Sequence, residues 1–183
     1  MFLNATSSVV GPAEDGALQQ LDRRVDCEPE LAVIIDKAGR NIHRAEAFHC
    51  IATHTVSLDV TTPGPEERSL RKSANSYSVP DPWLVTADEV ANPSNIDFWL
   101  TANGEPSQKA NARDLILGIA ELIEFTSSFH TLHPGDIVLT GTFEGVGPVA
   151  PGDRIDCEFE GIGRIKVAVQ AADVARPTAS AQT

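Results

Sequence analysis

Apolar residues along this chain recur mostly at alternate positions or in short unbroken runs, the patterns of half-buried and fully buried strands. The run Leu31-Ala32-Val33-Ile34-Ile35 centres a predicted strand over residues 27–36, and Lys37-Ala38-Gly39-Arg40-Asn41 turns out of it. Residues 52–60 predict a second strand, which Pro63-Gly64-Pro65 breaks. Residues 96–102 alternate, and Asn103-Gly104 then marks a hairpin. Turns rich in Pro, Gly and Asp introduce further predicted strands at 137–140 and 154–159, and Gly161-Ile162-Gly163 introduces one at 164–169. Ser7-Ser8-Val9-Val10 predicts a strand ending at the turn Gly11-Pro12. Helical spacing appears twice. Ala47, Phe48 and Ile51 predict a short helix over 43–51, and Leu115, Ile119, Leu122, Ile123 and Thr126 share one face of a longer helix over 114–127. Residues 63–82 are polar and turn-rich, which suits an active-site loop better than a packed element. The result is a mainly β (α+β) chain with few helices, folded as a single domain over residues 1–172. Residues 173–183 form a tail expected to be disordered.

At 183 residues the chain is long enough for one domain with a sizeable core. Its formal net charge of -12 argues against nucleic acid or an anionic membrane as partner. A small anionic substrate is still compatible, because one bound cation reverses the field locally. No apolar run approaches the length of a membrane span. The start, Met1-Phe2-Leu3-Asn4, lacks the basic and then apolar pattern of a secretory leader. Cys27, Cys50 and Cys157 are scattered and odd in number, which predicts reduced thiols in a cytoplasmic protein.

The candidate chemistry begins at Glu28-Pro29-Glu30. Residues i and i+2 of a strand project to one face, so both carboxylates point the same way beside a run that should be buried. Like charges there repel and lose solvation, and a divalent cation relieves both costs. Carboxylate oxygens suit hard ions such as Mg²⁺, Mn²⁺ or Ca²⁺. Asp59, in the second strand, supplies a third carboxylate. Taken alone, the spacing fits a solvated strand edge as well. Cys27 faces away from Glu28 and reads as core packing.

Several stretches together resemble one family. Leu132-His133-Pro134-Gly135-Asp136-Ile137-Val138-Leu139-Thr140-Gly141-Thr142-Phe143-Glu144-Gly145-Val146-Gly147 is similar to a signature of the fumarylacetoacetate hydrolase family, L-x-P-G-D-x-I-x-T-G-T-P-x-G-V-G. Asn103-Gly104-Glu105-Pro106-Ser107-Gln108 looks like that family's N-G-E-x-x-Q hairpin, and Pro82-Trp83-Leu84-Val85-Thr86 like its P-W-L-V-T. Glu28-Pro29-Glu30-Leu31 matches its metal-binding E-x-E-L, and Leu58-Asp59-Val60-Thr61 its N-D-V-T. The resemblance runs in order over nearly the whole chain, from about residue 2 to about 169. It implies a mixed β-sandwich roll, usually assembled as a homodimer. It implies Mg²⁺ or Mn²⁺ held by Glu28, Glu30 and Asp59. It also implies a 2-oxo or β-dicarbonyl acid substrate, chelated so that the ion stabilises an enolate during C–C cleavage, decarboxylation or isomerisation. Lys72 aligns with a family lysine that contacts the substrate, and Gln108 and Thr142 align with polar pocket residues. A non-catalytic or repurposed homologue, or a partner subunit of a longer paralogue, is the alternative.

The departures gather around the substrate and spare the three carboxylates. Residues 1–4 align with the strand after an upstream lid that carries a His–Glu dyad, so no such dyad is expected in this chain. The usual K-S-F-D is Lys72-Ser73-Ala74-Asn75, and Asn4 stands where related sequences often have a lysine. The usual G-P-W is Asp81-Pro82-Trp83, Leu58 replaces an asparagine, and Thr62-Pro63 takes the place of an arginine. Thr53-His54-Thr55 replaces G-Y-T, and Phe143 replaces a proline. His54, near Asp59 in sequence, could supply a new acid or base, or simply pack. His130 and His133 are expected to face solvent, and Glu66 and Glu67 to form a solvated pair.

Overall fold

The computed structural model describes residues 1–10 and 16–172. The turn expected at Gly11-Pro12 and the tail at 173–183 lie outside the described residues. Among the described residues, eleven strands make two sheets. One sheet runs β4 (Ser78–Pro80), β3 (Ile51–Thr61), β2 (Asp26–Ile35) and β8 (Ile137–Leu139); β5 (Val85–Thr86) pairs with β3, and β9 (Gly147–Pro148) with β2. The other runs β1 (Gly16–Leu18), β11 (Gly163–Ala171), β10 (Arg154–Phe159), β6 (Asp97–Ala102) and β7 (Glu105–Asn111). All pairings within these sheets are antiparallel except β1 with β11. Two α-helices, α1 (Arg68–Lys72) and α2 (Ile119–Phe129), and short 3₁₀ turns complete the described chain.

Strand alternation builds the core. On β2 and β3, Leu31, Val33, Val56, Leu58 and Val60 face inward and are buried. Phe98 and Leu100 of β6, Ile155 and Phe159 of β10, and Ile165 and Val167 of β11 belong to the same cluster. Phe98 is fully buried, 4.6 Å from the Phe159 ring and 4.9 Å from the Phe143 ring. Phe98→Ala removes a ring from both contacts and is expected to cost about 3–5 kcal/mol. That lowers the thermal midpoint by about 10 °C at this chain length. An unchanged melting curve would show that the two sheets do not depend on this contact.

Four expectations need correction. Residues 6–8 form a 3₁₀ turn, and only Val9 bridges to Ser78, where a strand was expected. The 63–82 stretch is not all loop, since it holds α1 and β4 and buries Tyr77. A five-residue helix is shorter than the window in which helical periodicity shows. The long helix starts at Ile119, because Gly118 separates it from a 3₁₀ turn at Ala112–Asp114. The Glu121 carboxylate accepts from the Gly118 N–H at 3.0 Å and caps that start. Its buried positions are Ile119, Ile123 and Ser127, while Leu122 and Thr126 are half-buried. The predicted helix at 43–51 is a 3₁₀ helix over Arg44–Cys50. The Asn103-Gly104 hairpin is present, with φ of 55° and 84°, values that Asn and Gly adopt with least strain. No helix among the described residues is long and apolar enough to cross a membrane.

Candidate metal and substrate site

The antiparallel register of β2 and β3 places Glu28 opposite Asp59, and Glu30 opposite Ser57. All four side chains leave the sheet on the face away from the apolar core, by the parity of the strand. Glu28, Glu30 and Asp59 each offer an oxygen within 4.8 Å of the others. Residues 4–8, α1 and β4 border this face, so it is polar yet sheltered. Asp59 is 0% exposed and Glu30 3%.

Lys72, at the last turn of α1 and 7% exposed, reaches into the cluster. Its Nζ donates to Glu28 Oε2 at 3.0 Å and to Asp59 Oδ2. The ammonium also stands 5.3 Å from the centre of the Phe2 ring, a cation–π distance. Asn4 Nδ2 donates to Asp59 Oδ1 at 3.2 Å. The Gly141 N–H donates to Glu30 Oε2 at 2.6 Å. Asn4 therefore supports Asp59 at the oxygen that Lys72 does not take.

The electrostatics follow from burial. Desolvation, with Asp59 repulsion second, pushes the Glu30 carboxyl up to about 8. Burial also raises Asp59, against the pull of Lys72. For Lys72, burial alone would favour the neutral amine, but Asp59, Glu28 and Glu30 outweigh it and hold the ammonium charged. Glu30, which has no hydrogen bond to Lys72, is thus the carboxyl that keeps its proton at neutral pH. Buried carboxyls in that condition fit a divalent ion, which would replace the proton and complete the neutralisation. The donor set is all hard oxygen, as Mg²⁺ and Mn²⁺ prefer.

The cluster opens into a cavity of about 340 Å³. Asp26, Glu28 and Glu30 line it from β2, and Arg68, Arg71 and Lys72 line it from α1. Asp26, Arg68 and Arg71 were not singled out from the sequence. Asp26 continues the i, i+2 series of Glu28 and Glu30, and Arg68 and Arg71 precede Lys72 by four and one positions. Both signals were present, but the second means nothing until α1 is known to be helical.

Gln108 and Thr142 stand beside this cavity and are not among the residues that line it. The Gln108 carboxamide nitrogen donates to the Phe143 carbonyl at 3.0 Å and the Glu144 carbonyl at 3.3 Å, and lies 3.5 Å from Thr142 Oγ1. Gln108 thus fastens the loop whose Gly141 N–H meets Glu30. His54 is not near the carboxylates. It lies opposite Val33 on the core face of β3 and is 1% exposed, and burial holds its imidazole toward the neutral form. Its separation of five residues from Asp59 puts the two on opposite faces of one strand, a parity the sequence already carried. His130 and His133 are exposed. Glu66 is not part of a free pair, since Arg23 grips it at 2.9 and 3.0 Å, and Glu67 caps α1 by accepting from the Ser69 N–H. Cys27 and Cys157 are buried free thiols whose pKa values burial pushes up, as core packing requires.

Known proteins share this arrangement of chain. The family described as "Fumarylacetoacetate (FAA) hydrolase C-terminal" matches residues 1–170. A maleylpyruvate hydrolase of Aquipseudomonas alcaligenes is 50% identical over 170 residues, which cover 93% of this chain and 59% of that protein. A human mitochondrial oxaloacetate tautomerase is 36% identical over 178 residues, covering 90% of this chain and 57% of its own length. The crystal structure of maleylpyruvate hydrolase from Sphingobium sp. SYK-6, in complex with manganese (II) ion and pyruvate, superposes with a TM-score of 0.86 at 38% identity. It covers 91% of this chain and 62% of that one. The chain thus spans about three fifths of the length of these relatives. The match over residues 1–170 places the chain in the fumarylacetoacetate hydrolase family.

Proposed function

We propose that this chain is the metal-binding core of an enzyme acting on a 2-oxo or β-dicarbonyl acid, with Glu28, Glu30 and Asp59 as ligands to Mg²⁺ or Mn²⁺. The observation that carries the reading is the sheltered triad of carboxylates with one buried lysine among them. A bound divalent ion would act as a Lewis acid, drawing electron density from the 2-oxo group as the neighbouring C–C or C–H bond breaks. The chain's own residues would do the rest. Lys72 holds positive charge beside the carboxylates, where a substrate anion would also settle. Gln108 and Thr142 hold the loop that presents the Gly141 N–H to Glu30.

C–C hydrolysis of an acylpyruvate is the favoured reaction, supported by the 50% identity to a maleylpyruvate hydrolase. Keto–enol tautomerisation is the second reading, supported by the resemblance to an oxaloacetate tautomerase. A homodimer belongs to the same proposal, supported by the exposed apolar Ile116, Phe125 and Phe129. Titration of metal-stripped protein with Mn²⁺, then with pyruvate, tests the site. Mn²⁺ should bind near one per chain, and pyruvate should bind only to the loaded protein. Asp59→Ala should abolish both. Pyruvate binding of equal strength without any divalent ion sinks the proposal.

A further inference from the structure

His54 is the unexplained polar group of the core. It is 1% exposed, and its Nδ1 and Nε2 are both buried with no hydrogen-bond partner among the described residues. A neutral imidazole carries one donor and one acceptor, and a buried polar group left unpaired is costly enough to be rare. Burial pushes the pKa of this ring down, so it is neutral at pH 7 and what it lacks is a hydrogen bond, not a counter-charge. The carboxylate site does not use it, because strand parity sets His54 and Asp59 on opposite faces of β3.

The ring lines a second cavity, of about 320 Å³, which shares no residue with the cavity of the carboxylates. Ile51 joins His54 from β3, Phe48 comes from the 3₁₀ helix Arg44–Cys50, and Val90, Asn92 and Ser94 come from the loop after β5. That loop is fastened. The Ala87 N–H donates to the Ala52 carbonyl at 2.9 Å, and the Ser94 N–H donates to Asn92 Oδ1 at 3.2 Å. Phe48 remains 41% exposed, so the cavity wall reaches the surface. No Asp, Glu, Lys or Arg side chain is among the lining residues. An ion would lose its hydration there without a charged partner, so the anionic acids proposed for the metal site do not suit this cavity. An uncharged molecule does, if it is apolar over most of its surface and carries one group that pairs with an imidazole nitrogen. A hydroxyl pairs with either tautomer, because it both donates and accepts. The volume admits a six-membered ring and leaves room for a water at the other nitrogen.

We propose that this cavity is a second binding site, in which His54 holds the hydroxyl of a small uncharged cyclic molecule. The inference does not depend on the metal chemistry. The experiment titrates the intact chain, with ¹⁵N-labelled histidine, with phenol and with toluene, which has the same ring and no hydroxyl. Phenol should move the His54 nitrogen signals and bind about tenfold more tightly than toluene, the size of one hydrogen bond made to an otherwise unpaired buried group. His54→Phe keeps an apolar ring in the core and should bring that preference to about one or reverse it. Ala91→Phe fills the cavity from an exposed loop position, so it should block phenol while its melting curve stays that of wild type. This second variant tests the site even if His54→Phe does not fold. Phenol that leaves the His54 nitrogens unmoved, the result if solvent alone fills the cavity, overturns the inference. Equal affinity for phenol and toluene in wild type also overturns it, as does an undiminished preference in His54→Phe or full phenol binding in Ala91→Phe.

Discussion

Glu30→Gln is expected to weaken divalent-ion binding at least a hundredfold while leaving the metal-free protein as stable as wild type, or more so. Burial and the neighbouring Asp59 raise the Glu30 carboxyl from 4.5 to about 8, so near pH 7 the folded protein holds it as the neutral acid. Glutamine copies that acid in shape and keeps an oxygen for the Gly141 N–H, now 2.6 Å from Glu30 Oε2. It cannot replace an anionic metal ligand. The sign of the pH dependence follows. A raised folded-state pKa means that the folded protein binds more protons than the unfolded chain between about 4.5 and 8. The contribution of Glu30 to the stability of metal-free wild type is therefore greatest below that window and declines as pH rises through it, by up to a few kcal/mol. Glu30→Gln should flatten this decline. Metal affinity runs the other way, rising up to tenfold per pH unit toward pH 8 as the proton that the ion must displace becomes easier to remove. Urea unfolding at several pH values and Mn²⁺ titration measure both. A variant that binds Mn²⁺ as tightly as wild type would remove Glu30 from the ligand set.

Lys72→Met should have the second large effect, and the opposite one on the metal. The lysine is nearly buried, and Glu28 and Asp59 both accept from it. Taking one partner from a buried ionic cluster leaves the others uncompensated and typically costs about 3–5 kcal/mol. The metal-free variant should melt about 10 °C below wild type. Mn²⁺ should restore most of that loss, because a divalent ion supplies the missing charge without competition from an ammonium. Mn²⁺ affinity should rise at the same time, while turnover of any 2-oxo acid falls. Differential scanning calorimetry with and without Mn²⁺ separates these effects. A variant destabilised equally in both conditions would mean that Lys72 matters for packing alone.

Much of this was legible in the sequence because it is local. The i, i+2 spacing of Glu28 and Glu30 determines that both leave one face of β2, whatever the rest of the chain does. The Asn103-Gly104 pair determines its hairpin, because those two residues tolerate positive φ. The parity of β3, with Val56, Leu58 and Val60 on its core face, also sets His54 on that face and away from Asp59, although nearness in sequence left His54 open as an acid or base. The family resemblance joined these pieces in the right order.

What the sequence could not decide depends on contacts between distant segments. Lys72 meets Asp59 and Glu28 because α1 docks over β2 and β3, and a helix of five residues leaves no periodic trace. Gly141 is 111 residues from Glu30, and the pairing of β8 with β2 is what brings its N–H to that carboxylate. The proton on Glu30 is likewise a tertiary property, since it comes from burial and from Asp59 on the neighbouring strand. Arg68 joins the cavity wall only because α1 packs beside the strands that carry the carboxylates. Strand parity and turn chemistry act between neighbours in the chain, so the sequence alone determined which face each carboxylate takes. Charge, burial and the cavity depend on which elements pack together, so only the tertiary structure decided what those carboxylates meet.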